Sequence, residues 1–220
     1  MRMKKWMAAL LAALVLALGC AGLAEADVNV EETAVAEEAV EAEEAVEAAE
    51  AVAEEDVESV SGHIAFTEDM APYEGRWVTF EDGVKLFLPK EWSRIDLDET
   101  QQQAGLFYRA ENGGSDSAVG DTAMGVAVSF VRAGELKTLD DLAADFASAG
   151  FGEINKLDIN GIPCISFARA AGDYRGVAFY HPTHSNYVLA VYISPTGAED
   201  PAVNDVGSAI LCSVSPFSKK

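Results

Sequence analysis

Basic residues are scarce in this sequence. Fifteen lysines and arginines stand against thirty-seven aspartates and glutamates, and none of the fifteen falls between Asp27 and Val60. The net charge of −22 repels phosphate at long range, which argues against nucleic acid or a bare anionic membrane surface as a partner. Cysteine stops at Cys20, Cys164 and Cys212. No apolar stretch after the N-terminus approaches the ~20 residues of a membrane-spanning helix, so no transmembrane span is expected after processing. The chain also lacks a Gly-x-Ser-x-Gly nucleophile elbow, and its Gly113-Gly114 pair sits in a polar loop rather than opening a helix over a phosphate.

What is present begins with an address. Arg2, Lys4 and Lys5 precede an apolar run from Trp6 to Leu18, followed by small residues, which predicts a signal peptide over residues 1–26. Two processing readings compete. Cleavage after Ala24-Glu25-Ala26 releases a soluble chain beginning at Asp27. Alternatively, Leu16-Ala17-Leu18-Gly19-Cys20 resembles a bacterial lipobox, which would place a lipid anchor on Cys20, although Ala17 and Leu18 stand where the pattern favours leucine and a small residue. Either way the protein is extracytoplasmic, secreted or associated with the cell envelope.

Residues 27–60 are almost entirely Glu, Ala and Val, and the hexad Glu37-Glu38-Ala39-Val40-Glu41-Ala42 recurs as Glu43-Glu44-Ala45-Val46-Glu47-Ala48. Glu and Ala favour helix. However, Val40, Val46 and Val52 are six apart and form no stripe, and Glu37/Glu41, Glu43/Glu47 and Glu50/Glu54 place like charges one turn apart, each opposing helix by ~0.2–0.5 kcal/mol. A disordered, solvated acidic spacer is expected at neutral pH. With its fourteen acids and the net +2 of residues 1–26 set aside, residues 61–220 carry −10, so both mature parts are acidic.

Residues 61–220 suffice for a single α+β domain, with its core over about 74–217. Alternation predicts strands at Arg76 to Phe80 and Val84 to Leu88 around Glu81-Asp82-Gly83, then at Ala104 to Ala110 and Met124 to Arg132. A helix follows, capped by Thr138, with Asp140 and Asp141 in its first turn, Leu139, Leu142, Phe146 and Ala149 on one face and Gly150 as its stop. Four more strands are expected near Glu153 to Ile159, Ile162 to Ala170, Tyr174 to His181 and Tyr187 to Ser194, the first pair turned at Asn160-Gly161. The last strand is apolar on both faces, so its sheet needs two covers. One is the Thr138 helix. The other is a C-terminal helix with Asp200 as cap, Pro201 in the first turn, and Val203, Val206, Ile210 and Val214 in a stripe. The fold class is therefore α+β: a mainly antiparallel twisted sheet covered by helices on both faces.

Candidate chemistry is sparse. His181-Pro182-Thr183-His184 sets two imidazoles at a hairpin loop, weak metal ligands unless Asp173 or another carboxylate joins them, and otherwise a polar turn completed by Ser185 and Asn186. Cys164 lies among Ile162, Ile165 and Phe167, which describes core rather than a nucleophile; with Cys212 it forms either a disulfide or two buried or semi-buried thiols. Trp77, Tyr108, Phe179, Tyr180 and Tyr192 either line a cleft for a peptide or glycan or belong to the core. No catalytic or cofactor-binding residue emerges.

Gly83-Val84-Lys85-Leu86-Phe87-Leu88-Pro89-Lys90-Glu91-Trp92 resembles the opening hairpin and Leu-Pro-x-x-Trp corner of PsbP-like and DcrB-like domains, over about Glu74 to Phe217. The resemblance implies a PsbP-like α/β/α sandwich and a non-enzymatic accessory role in the bacterial envelope, with no cofactor. The acidic spacer departs from that pattern. The expected function is an exported binding or accessory module whose partner is an envelope protein, peptide or glycan. The alternative is a small extracytoplasmic hydrolase or metal-dependent enzyme using His181 and His184.

Overall fold

The computed structural model describes residues 61–80, 83–112, 124–169, 174–194 and 201–217. The expected signal peptide, Cys20 and the expected acidic spacer lie outside the described residues, as do Asp82, Gly113, Gly114, Asp173 and Asp200.

The chain is a mixed α+β protein dominated by one large sheet with few helices. The strands, in chain order, are β1 (His63–Ile64), β2 (Gly75–Phe80), β3 (Val84–Pro89), β4 (Ser93–Arg94), β5 (Leu106–Glu111), β6 (Gly125–Arg132), β7 (Phe151–Ile159), β8 (Ile162–Arg169), β9 (Arg175–Tyr180), β10 (Tyr187–Ser194) and β11 (Ser215–Pro216). The helices are α1 (Glu99–Gln103), α2 (Leu139–Ser148) and α3 (Pro201–Cys212), with one 3₁₀ turn at Glu68–Met70. Eight strands form the large sheet in the order β1-β7-β8-β9-β10-β6-β5-β4, and three form a smaller one, β11-β3-β2. Among the described residues every pairing is antiparallel except β1 with β7. Consecutive hairpins account for that geometry, since short turns return a strand beside its predecessor. At the β7–β8 turn both Asn160 and Gly161 have positive φ, the conformation that this pair adopts most readily.

Alternation along the central strands supplies two apolar faces. On one face Phe146 of α2 joins Leu139 and Leu142 in a cluster with Ile165, Phe167, Ala178, Val188 and Tyr192. Thr138 caps this helix by accepting from Asp141 N at 3.1 Å, while the Asp141 carboxylate accepts from Thr138 N. The second cluster gathers Val126, Val128, Val177, Phe179, Leu189, Val191 and Ile193. Val203, Val206 and Ile210 of α3 pack into it, beside Phe80, Val84, Leu86 and Leu88 of the small sheet. Burying each such side chain contributes about 1.5–3 kcal/mol before its lost entropy is counted.

Two features depart from the sequence expectation. The β2–β3 hairpin leaves the large sheet and packs on it as a separate layer, because β3 buries residues on both of its faces. Ala104, expected within a strand, instead follows α1, whose Asp98 and Gln101 form a reciprocal capping box. Asn160 then ties distant parts together. Its amide donates to Cys212 O at 2.9 Å and Val214 O at 2.7 Å, closing the end of α3, and its Oδ1 accepts from Phe66 N at 2.7 Å. Beside it His63 Nδ1 meets Asp158 Oδ1 at 2.7 Å, where β1 runs along β7.

Candidate functional site

His181 follows β9, and the loop from it to Asn186 leads into β10. Its backbone N–H donates to Tyr187 O at 2.9 Å, and Tyr187 N donates to His184 O at 2.9 Å, so the loop is closed at its base. The buried His181 ring then braces the loop from inside. Its Nδ1 accepts from Thr183 N at 3.1 Å and His184 N at 3.0 Å, with the Thr183 hydroxyl at 3.2 Å. Two backbone donors aimed at Nδ1 place the imidazole proton on Nε2. Phe130 packs edge-on at 5.7 Å, and the exposed His184 ring lies 4.9 Å away, centre to centre. The structure thus brings the two histidines together, but it commits one coordinating nitrogen to the turn. Among the described residues no group of three or more His, Cys, Asp and Glu side chains is arranged to hold a metal ion.

The cysteines are separate thiols, Cys164 buried and Cys212 half-buried at the last position of α3. Burial pushes the Cys164 thiol up to about 12, with the Asp158 carboxylate and Cys212 adding to the effect. A thiol held protonated at neutral pH is a poor nucleophile. Burial also raises Cys212, partly offset by the Arg175 guanidinium. That guanidinium donates to Asn204 O at 2.5 Å across the first turns of α3.

The five aromatic residues singled out in the sequence do not converge on one cleft. Tyr108 and Phe179 belong to the cluster beneath the small sheet, and the fully buried Tyr192 belongs to the other. Tyr180 donates its hydroxyl proton to Thr138 O at 2.9 Å, at the start of α2. Trp77 alone stands on the outer face of the small sheet.

Around Trp77 the structure assembles a group that strand patterns did not single out. Phe66 meets it edge-on at 6.1 Å, Phe87 is tilted against it at 5.3 Å, and Tyr73 stacks on Phe87 at 5.9 Å. Lys85 Nζ sits 4.0 Å from the centre of the indole, and the indole N–H donates to Glu68 Oε1 at 2.7 Å. Beside this group opens a cleft of about 660 Å³ lined by Glu68, Asp69, Tyr73, Glu74, Gly75, Arg76, Phe87 and Lys90. Gly75 is required there: a Cβ at this position would run into the Phe87 ring. The Tyr73 hydroxyl donates to Phe87 O at 2.9 Å, and burial raises its pKa, so it serves as a fixed wall and not as a proton-transfer group. The sequence signal was the apolar outer side of the hairpin, Trp77 and Phe87, which the inner residues Val78 and Leu86 masked.

No protein-family model matches the chain, and neither does any curated protein. Solved structures similar to it include a Bacteroides thetaiotaomicron VPI-5482 protein, 12% identical with a TM-score of 0.38, over 66% of this chain and 49% of that one. The chain thus spans about half the length of that protein. The Saccharomyces cerevisiae Ran-binding protein Mog1p is 9% identical with a TM-score of 0.40, over 64% of this chain and 95% of that one. A point mutant of protein Mog1 is 7% identical with a TM-score of 0.41, over 66% and 97% of the two chains. At these scores the likeness carries neither an activity nor a partner to this chain.

Proposed function

We propose that this is an exported bacterial envelope protein in which an acidic spacer presents one non-enzymatic binding or accessory module. The export reading is supported by the basic, apolar and small-residue succession of residues 1–26, and the spacer reading by fourteen acids without a base over residues 27–60. The finer fold reading, a PsbP-like sandwich with helices on both faces of the sheet, is supported by the separate clusters that α2 and α3 join.

The observation that carries the binding reading is the contrast between the two places where chemistry was sought. The histidine loop spends His181 Nδ1 on its own backbone, and Cys164 is held as a thiol by burial. The cleft beside Trp77, in contrast, is lined by aromatic rings and charged side chains, with no nucleophile paired to a base among the described residues, which suits recognition better than turnover.

Two measurements test the proposal. Cell fractionation with mass spectrometry of the N-terminus is expected to find either a chain starting at Asp27 outside the cytoplasm or a lipid-modified Cys20 in a membrane fraction; an unprocessed cytoplasmic chain contradicts export. A hydrolase activity lost in His184→Ala, with the fold intact, contradicts the non-enzymatic reading.

A further inference from the structure

The four sheet edges are unequal. β1, β4 and β11 are two residues long, whereas β2 presents six. Short edge strands are a common defence against adding another strand, and charge, proline and bulges are others. β2 has little of this protection. It contains no proline, its register with β3 is unbroken, and its one charged side chain, Arg76, is turned aside to donate to Trp92 O at 3.1 Å.

The direction of its backbone follows from two bonds at its ends. Lys90 N donates to Glu74 O, and Gly83 N donates to Phe80 O. Residues 74, 76, 78 and 80 therefore face β3. Their neighbours Gly75, Trp77 and Thr79 direct both N–H and C=O the other way, and among the described residues no backbone bond reaches those groups. Three outward donor–acceptor pairs in a row form a template for an incoming strand.

The net charge of the chain selects the occupant. Glu68, Asp69 and Glu74 line the adjoining cleft, the Glu68 carboxylate is held against Trp77, and a hydrogen bond from Thr67 keeps the Asp69 carboxyl below its ordinary range. Arg76 and Lys90 line the same cleft and Lys85 lies over the Trp77 ring, Arg76 being directed to the Trp92 carbonyl, so the charges at the cleft itself are mixed. The whole chain carries −22, so a second copy or the chain's own acidic residues 27–60 would approach against repulsion, whereas a basic polypeptide is attracted.

We propose that the outer edge of β2 receives an extended basic segment of a partner polypeptide as an added strand, with its lysine or arginine side chains directed towards Glu68, Asp69 and Glu74. This rests on the reading of the domain as a binding module and names the class of its partner.

The test titrates the full chain with a peptide alternating Val and Lys, and with a Val–Glu peptide of equal length, while amide exchange is followed residue by residue. The Val–Lys peptide is expected to slow exchange at Trp77 and Thr79 by about tenfold or more, and the Val–Glu peptide to leave both unchanged. Thr79→Pro removes one outward donor but none that faces β3, and is expected to weaken the Val–Lys peptide by about tenfold. Equal protection by both peptides, absence of protection at Trp77 and Thr79, or unchanged affinity in a folded Thr79→Pro protein overturns the proposal. So does a dimer joined through β2. If Thr79→Pro does not fold, the amide protection of the unaltered chain still decides. Protection confined to another surface would overturn the β2 site yet leave the binding-module reading standing.

Discussion

The large sheet and the small sheet are built from similar residues and end in opposite ways. In the large sheet the central strands are buried on both faces, and the outermost strands, β1 and β4, are two residues long. In the small sheet β3 is buried on both faces, whereas β2 is buried only at Phe80 and is otherwise half-buried or exposed. The outer face of this sheet carries Trp77 and Phe87 under a partial cover of Phe66 and Tyr73, and its β2 edge runs for six residues without a partner among the described residues. Burial therefore explains the first sheet, whereas the second retains hydrogen-bonding capacity along its β2 edge. The same contrast separates the two candidate sites. The His181 ring turns its Nδ1 to its own loop, while the cleft beside Trp77 keeps carboxylates at its surface.

If this contrast is sound, substitutions in the large sheet should act on stability. Phe179→Ala empties a fully buried position and is expected to cost about 3–5 kcal/mol, read from urea denaturation. Gly176→Ala drives a methyl group into Val191 O and the Phe167 ring, costing about 1–3 kcal/mol through overpacking, with the loss again seen in the urea midpoint. Asn160→Ala strips the two bonds that close α3, and a loss of about 1–3 kcal/mol is expected; if thermal melting shows no change, Asn160 is not the tie described above. His181→Ala should lower stability by about 1–3 kcal/mol and disorder the loop, yet leave peptide protection at Trp77 and Thr79 intact. A loss of that protection would join the two regions that the comparison separates.

The smallest effect concerns pH. Burial raises the Asp145 carboxyl above its ordinary range, and among the described residues its Oδ2 is buried without a hydrogen-bond partner. The folded pKa thus exceeds the unfolded one. The stability linked to protonated Asp145 is complete below the unfolded pKa and is lost as pH rises through the folded value. Asp145→Asn is expected to raise the melting temperature modestly at neutral pH, with the gain vanishing in acid. A gain that is independent of pH would locate the effect elsewhere.

Local chemistry made much of the fold legible before any coordinates. Asn160-Gly161 marked one hairpin, Thr138 with Asp141 marked the start of α2, and an apolar run on both faces marked β10. What escaped is set by long-range packing. Nothing local distinguishes a β2–β3 hairpin that stays in the large sheet from one that lies across it, and the two-residue strands β1 and β11 are too short to show a period. The polar helix α1, Glu-Thr-Gln-Gln-Gln, has no apolar stripe, and only its Asp98/Gln101 box announced it. At the candidate sites residue type was legible and role was not. His181 was visible as a potential ligand, but its bonds to Thr183 N and His184 N exist only once the loop has turned back. Tyr73 and Phe87 gave no sign of lining a cleft with Glu68, because fourteen or more residues separate Phe87 from both of them along the chain.

Amide hydrogen exchange on the full chain without any added peptide tests the central contrast most directly. The account predicts an alternating pattern in β2, with Gly75, Trp77 and Thr79 exchanging fast and Arg76, Val78 and Phe80 slowly, beside uniform protection through β9 and β10. Slow exchange at Trp77 and Thr79, equal to that at Val78, would show the β2 edge already paired and would contradict it.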